Sequence, residues 1–248
     1  MIKTEKIYYQ DPFLCSCMAS VIDIQDNKVV LDKTVAFPEG GGQIGDIGQF
    51  YINDSIIPFF DTKKGVGRIL NIPDFPDIQV DTPVYHYIDE RDLSKISIGS
   101  KVKIEIDVEH RIKTTVLHSA LHIALMVAKK RRPDLTNIIK GCKISVDNAR
   151  LDFFAKSKFL PEDIEWMTIV AQKLIDDELP VQVYHHKDEK EAWYWQCEDF
   201  ICPCGGTHIT NTKQIGEIYI KRKNVGKTTE RIIVSVENIK LHKDDYHQ

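Results

Sequence analysis

The chain has 248 residues, enough for one large domain or two modest ones with a sizeable core. Hydrophobic residues make up 42% and charged residues 28%, and the formal net charge is -4. Those values suit an ordinary soluble protein. They exclude a duplex binder that relies on global basicity, so any nucleic-acid contact must be local. No stretch approaches the ~20 apolar residues of a membrane span. Residues 1–10 lack the apolar core of a signal peptide. The expected location is therefore cytoplasmic. There the six cysteines stay reduced, free or metal-bound rather than paired. Cys15, Cys17 and Cys142 read as small buried hydrophobes.

The first hundred residues read as strands. Val21–Ile24 and Lys28–Leu31 flank Gln25-Asp26-Asn27 as a hairpin. Ile47–Tyr51, Ile56–Phe60 and Val84–Ile88 are short β-rich runs punctuated by prolines and glycines. Residues 101–107 alternate with period two. Many short strands separated by turns predict a small barrel.

The pattern changes at Asp107, an N-cap with Glu109 in the first turn. Leu117, Leu121, Ala124, Leu125 and Ala128 recur at helical spacing, cations fill 129–132, and Pro133 stops the helix. A second helix starts with Pro161 at its first position and ends before Pro180. Cys142–Val146 and Arg150–Phe154 read as paired strands. Val181–Tyr184, Ile215–Ile220 and Arg231–Val236 read as further strands. The fold class is thus α+β: a small β-barrel domain over 1–107, followed by an α+β domain over 108–248.

His118 and His122 stand four apart on the first helix. That spacing puts two imidazoles on one face, Cβ atoms roughly 5–6 Å apart. Alone, the pair is equally consistent with two hydrogen-bonded core histidines. Cys202-Pro-Cys204-Gly-Gly-Thr-His208 adds thiols and an imidazole in a turn that glycines let fold tightly. One thiolate with three imidazoles is a borderline-soft tetrahedral set that suits one Zn²⁺ ion. The ligand set read here is His118, His122, Cys204 and His208. Cys202 remains an alternative to Cys204. A structural zinc turn without chemistry also satisfies the spacing.

His118-Ser-Ala-Leu-His122 with Cys204-Gly-Gly-Thr-His208 resembles the editing domain of alanyl-tRNA synthetase and its free-standing relatives, the AlaX proteins. Phe37-Pro-Glu-Gly-Gly-Gly-Gln43, followed by Asp46 and Gly48, resembles the glycine-rich motif of that group. Arg150–Phe153 and Asp107–Arg111 match in the same order. The resemblance implies an N-terminal barrel and a C-terminal α+β editing domain of the threonyl/alanyl-tRNA synthetase type. It implies hydrolysis of the ester joining a wrong amino acid, chiefly serine, to alanine-specific tRNA. The barrel begins near residue 1, so an aminoacylation domain is not expected and the activity is expected in trans. The partner is then the acceptor end of aminoacylated tRNA.

Zinc with four protein ligands is closed, whereas polarising a carbonyl or activating a water needs an open position. The expectation is that zinc orients the aminoacyl group while a nearby water attacks. Thr207 and Gln43 are the candidate catalytic residues; the plainer roles are turn capping and a β-turn. Gly40, Gly41, Gly42 and Gln43 are candidates to contact the acceptor end. The family carries a polar residue shortly before the glycine matched by Gly141, where it can meet a serine hydroxyl; Ile139 stands at that place. Asn137, Lys140 or a threonine is left to make that bond, and serine versus glycine stays open. Lys129–Arg132, Lys221–Lys223, Lys63 and Lys64 are candidate tRNA contacts.

Ser119 after His118 disfavours a His-Glu-x-x-His metalloprotease. A non-catalytic RNA-binding module with structural zinc is one alternative. Editing of threonine-specific tRNA is another, and the glycine-rich motif argues against it.

Overall fold

The computed structural model describes residues 2–73, 75–135, 139–155, 157–226 and 228–248. In chain order the first half forms β1 (Glu5–Lys6), β2 (Ser16–Gln25), β3 (Lys28–Leu31), β4 (Lys33–Thr34), β5 (Gly48–Ile52) and β6 (Ser55–Lys64). Then come β7 (Arg68–Leu70), β8 (Ile78–Val80), β9 (Val84–Ile88) and β10 (Lys101–Ile106). Six of these close a barrel in the order β10-β2-β3-β9-β6-β5. All its pairings are antiparallel, so full closure removes the sheet edges. The period-two alternation of β10 points Val102, Ile104 and Ile106 inward. Phe50, Phe59 and Ile88 fill the same interior. Strands β2 and β6 run longer than their apolar patterns predict, each through a register shift.

The chain then enters α1 (Val108–Arg131). Asp107 caps it by accepting from the His110 amide at 3.1 Å. Arg111, Thr115, Leu117, His118, Ser119 and Leu121 are all buried, and no residue from Thr114 to Ala128 is exposed, so that stretch of the helix is covered all round. It packs with α2 (Pro161–Asp176) against a sheet ordered β11-β12-β17-β16. These strands are β11 (Ile139–Ile144), β12 (Ala149–Phe154), β16 (Glu217–Asn224) and β17 (Thr229–Glu237). Ile215, expected in a strand, closes the 3-10 turn Thr212–Ile215 instead.

A second sheet, β13-β14-β15, comprises β13 (Val181–His186), β14 (Glu189–Cys197) and β15 (Phe200–Pro203). Only β13 is legible in the sequence. Charged residues at 187–191 mask the start of β14, and the Ala192–Cys197 run continues it into a buried Trp195. Strand β15 delivers Cys202 and leads directly to Cys204.

The barrel and the second half share one hydrophobic core. One join between them is the glycine-rich turn. Gly40 and Gln43 exchange backbone hydrogen bonds of 3.0 Å, and Gly42 and Ile44 bond to Ile144 of β11 at 2.7 and 3.2 Å. Behind the turn, Asp46 and Arg111 form a fully buried ion pair. Asp46 also accepts from the Phe37 amide at 2.6 Å, while Arg111 donates to the Pro12 and Val35 carbonyls at 2.9 and 2.8 Å. Among the described residues, no helix is long and apolar enough to cross a membrane.

Removing one partner of a buried pair leaves the other charge uncompensated, at a cost of about 3–5 kcal/mol. Arg111→Met should destabilise the chain by that order in urea titration. A loss under ~1 kcal/mol would mean that the pair does not hold the two halves together.

Candidate metal centre

Helix α1 presents His118 and His122 one turn apart, with ring centroids 5.0 Å apart. The segment after β15 brings Cys204 and His208 onto them. The four potential ligand atoms lie within 4.8 Å of one another, and the cluster can hold a metal ion. A tetrahedron with Zn–N near 2.0–2.1 Å and Zn–S near 2.3 Å has edges of about 3.3–3.6 Å. Cys204 Sγ already lies 3.3 Å from His118 Nε2 and 3.2 Å from His208 Nε2.

Each imidazole is held by its other nitrogen. His118 Nδ1 lies 2.8 Å from Gln43 Oε1. The Thr207 amide also donates to Oε1 at 3.1 Å, so that atom must be the carbonyl oxygen. His118 therefore carries its proton on Nδ1 and turns a bare Nε2 toward the cluster. His208 Nδ1 meets Ser119 Oγ at 3.2 Å, and His122 Nδ1 meets Cys202 Sγ at 3.4 Å. His122 Nε2 is buried and has no hydrogen-bond partner among the described residues. A buried polar atom without a partner costs free energy unless a ligand completes it. This pattern of oriented Nδ1 and available Nε2 is the one that ligating histidines use.

The chemistry of the donor set fits the same occupant. Burial pushes His122 down to about 3 and the other two imidazoles well below their ordinary range, the neighbouring histidines adding to it. Burial pushes the Cys204 thiol far up, with Cys202 adding. Desolvated imidazoles stay neutral, while the thiol needs a cation beside it to ionise. A divalent metal supplies that cation.

The geometry separates the two cysteines of the turn. Cys204 faces two Nε2 atoms, whereas Cys202 sits behind His122 on its Nδ1 side, its thiol pushed up to about 12 by burial. Gly206 is required where it stands, because a Cβ there would come within 2.2 Å of the His118 ring.

A cavity of about 230 Å³ opens beside the cluster. His118, His122 and Cys204 line it, while His208 lies outside its wall. Leu121, Leu125, Ile139, Ile144 and Leu151 form an apolar side, and Tyr9, Lys64, Glu191 and Trp193 a more polar one.

The sequence candidates fall in different places. Gly40 and Gly41 line the cavity. Gly42 does not: with φ of 88°, it packs against Cys142, where a Cβ would come within 2.4 Å of the sulfur. Gln43 and Thr207 are fully enclosed, Gln43 Nε2 donating to Thr207 Oγ1 at 2.9 Å and Thr207 Oγ1 meeting Thr115 Oγ1 at 2.7 Å. Gln43 bonds to His118 and Thr207, and neither Gln43 nor Thr207 lines the cavity. Lys140 points elsewhere, donating to Thr229 Oγ1 at 2.8 Å, while Ile139 lines the wall. Asn137 lies outside the described residues. Cys142 is half-buried in the wall instead of in the core, and its thiol donates to the Gly41 carbonyl at 3.2 Å. Of the basic candidates, Lys63 pairs with Asp61, Arg131 with Asp163, Arg132 with Asp134 and Arg222 with Glu230.

Ser119 and Glu191 gain places at the site that sequence reasoning did not reach, and Cys202, an alternative ligand in the sequence, stands behind His122 instead. Ser119 sits beside His118 in the helix, but only the fold brings His208 to its hydroxyl.

Over 94% of its length the chain is 30% identical to alanyl-tRNA editing protein AlaX-M of Pyrococcus horikoshii, covering 98% of that protein. The chain belongs to the AlaX family of alanyl-tRNA editing proteins. AlaX-L of the same organism is 29% identical over 88% of this chain and 54% of its own. The alanine–tRNA ligase of Metallosphaera sedula is 30% identical over 93% of this chain, which spans 25% of the ligase. Residues 181–233 match the family described as the threonyl and alanyl tRNA synthetase second additional domain. In this AlaX-family chain that segment comprises the β13-β14-β15 sheet, the Cys202–His208 turn and the strands that follow it.

Cys204→Ser should lose bound zinc, measured as metal per chain after dialysis. Cys202→Ser should retain one equivalent. The reverse result would exchange the two cysteines.

Proposed function

We propose that the chain is a zinc-dependent aminoacyl-tRNA deacylase, which hydrolyses the ester of a wrong amino acid, serine or glycine, on alanine-specific tRNA. The single observation that carries the reading is that the His118–His122–Cys204–His208 cluster turns three of its four members onto the wall of a largely apolar, open cavity. A purely structural zinc would have no reason to present three of its ligands to such a space. Family membership supplies the substrate class. A match along nearly all of AlaX-M supports action in trans, on tRNA charged by a separate enzyme.

His118, His122, Cys204 and His208 would hold the ion. Bound there by four protein ligands, zinc would orient the aminoacyl group while a nearby water attacks; it would polarise the ester carbonyl or activate the water itself only by accepting a fifth ligand. The protein's own groups prepare the site. Gln43 fixes the His118 tautomer and ring plane, and Thr207 and Thr115 fix Gln43. Ser119 does the same for His208. Gln43 and Thr207 are therefore positioning residues. The apolar wall of Leu121, Leu125 and Ile139 limits the room for the amino-acid side chain and excludes water from it. Gly40 and Gly41 let the acceptor end approach the backbone closely. The barrel over 1–107 and the α+β unit over 108–248 act together, because their shared turn carries Gln43.

The rival reading is a non-catalytic RNA-binding module with structural zinc. Hydrolysis of Ser-, Gly- and Ala-charged alanine tRNA, with and without chelator, separates the two. The expected result is release of serine or glycine, abolished by chelator and by His122→Ala or Cys204→Ala. Gln43→Leu should retain the fold but cost about 10–100-fold in zinc affinity or rate. Absence of hydrolysis with the zinc-loaded chain would support the binding module.

A further inference from the structure

The cavity has a charged end that the metal cluster does not use. Lys64 closes β6 and lines the wall. Its neighbour Lys63 pairs with Asp61 and Glu39. Lys6 pairs with Glu191 at 2.6 Å, and the other Glu191 oxygen accepts from the Asp81 amide at 3.0 Å. The Lys64 side chain makes no hydrogen bond or ion pair among the described residues. Burial and the nearby Lys6 lower its pKa, opposed by Glu191. A half-buried ammonium that no hydrogen bond or ion pair engages is free to take an anion from the cavity, and a charged contact of that kind is a strong one.

The glycine-rich turn ties this ammonium to the metal cluster. A Cβ on Gly40 would lie 3.5 Å from Lys64 Nζ. Gly40 is bonded across the turn to Gln43, and Gln43 Oε1 is 2.8 Å from His118 Nδ1. One short turn thus carries the lysine at one end and the ligand contact at the other. Tyr9 and Trp193, stacked with centroids 5.3 Å apart, line the same cavity. A cation and aromatic rings lining one cavity are the combination that single-stranded nucleic-acid sites employ.

An esterified amino acid has no free carboxylate, and its amine is not an anion. The negative groups nearest such an ester are the phosphodiesters of the chain that carries it. We propose that Lys64 is the anion anchor of the pocket, holding a backbone phosphate of the single-stranded acceptor end so that the terminal ester lies against the metal cluster. This rests on the deacylase reading of the same cavity.

The test uses the zinc-loaded full chain and a short, uncharged acceptor-stem RNA ending in CCA. Fluorescence anisotropy gives Kd over a range of salt. Lys64→Met keeps the apolar stem but removes the charge. It should weaken binding by about tenfold and reduce the slope of log Kd against log salt by about 0.7, one phosphate contact on a single strand. Lys64→Arg should restore most of the slope. An unchanged Kd and slope would overturn the proposal. So would weaker binding with an unchanged slope, which indicates lost packing. Mischarged-tRNA hydrolysis, measured in parallel on the unaltered chain, separates the two readings. Hydrolysis with an unchanged slope in Lys64→Met removes the anchor alone, and the predicted slope change without hydrolysis removes the deacylase alone.

Discussion

The buried pair of Asp46 and Arg111 is the constraint on which the site depends. Asp46 belongs to the glycine-rich loop of the barrel, and Arg111 to the first turn of the histidine helix. Arg111 spends its donors on Asp46 and two backbone carbonyls from elsewhere in the barrel half. Asp46 spends its acceptors on Arg111 and the Phe37 amide. A buried pair with this many satisfied groups has one geometry, because any shift leaves a charge unpaired. His110 adds a bond to the Gly45 carbonyl at 3.0 Å. The loop is thereby registered on the helix, and Gln43 arrives at His118 two turns further along it.

From that register the rest of the site follows. Gln43 accepts two hydrogen bonds, and its oxygen sets which nitrogen of His118 faces the cluster. Ser119 and Cys202 hold the other two imidazoles by the corresponding atom. Three neutral imidazoles and one un-ionised thiol, all desolvated, form a set that gains most from a divalent cation. The cavity lies on the side of Cys204, His118 and His122, with His208 behind. The four candidate ligands thus converge on one position while the surrounding wall decides what approaches it.

That wall divides by chemistry. Its aliphatic side comes from α1, β11 and β12. Its polar side comes from the 3-10 turn at Tyr9, from β6 and from β14. The glycine-rich turn lies where the two meet. Gly42 is held by its close approach to Cys142, and Gly41, with φ of 59°, by the turn itself. The three glycines therefore serve different needs, which a motif read as one unit does not separate.

The His/Cys cluster and the long helix were legible in the sequence because their signals are local. An i, i+4 histidine pair, a capped start at Asp107 and a cysteine four residues before a histidine are all read within single segments. Period-two alternation likewise marked β10, and β-rich runs bounded by turn residues marked the other barrel strands. The strands of 189–203 were not legible, because charged residues interrupt their pattern and their burial comes from packing on Trp195. The choice of Cys204 over Cys202, the inward placement of Gln43 and Thr207, and the unpaired Lys64 were decided only by tertiary structure. Each depends on which group from a distant segment occupies a hydrogen-bonding position. Sequence spacing states which atoms are available, and only the packed fold determines which of them are already satisfied.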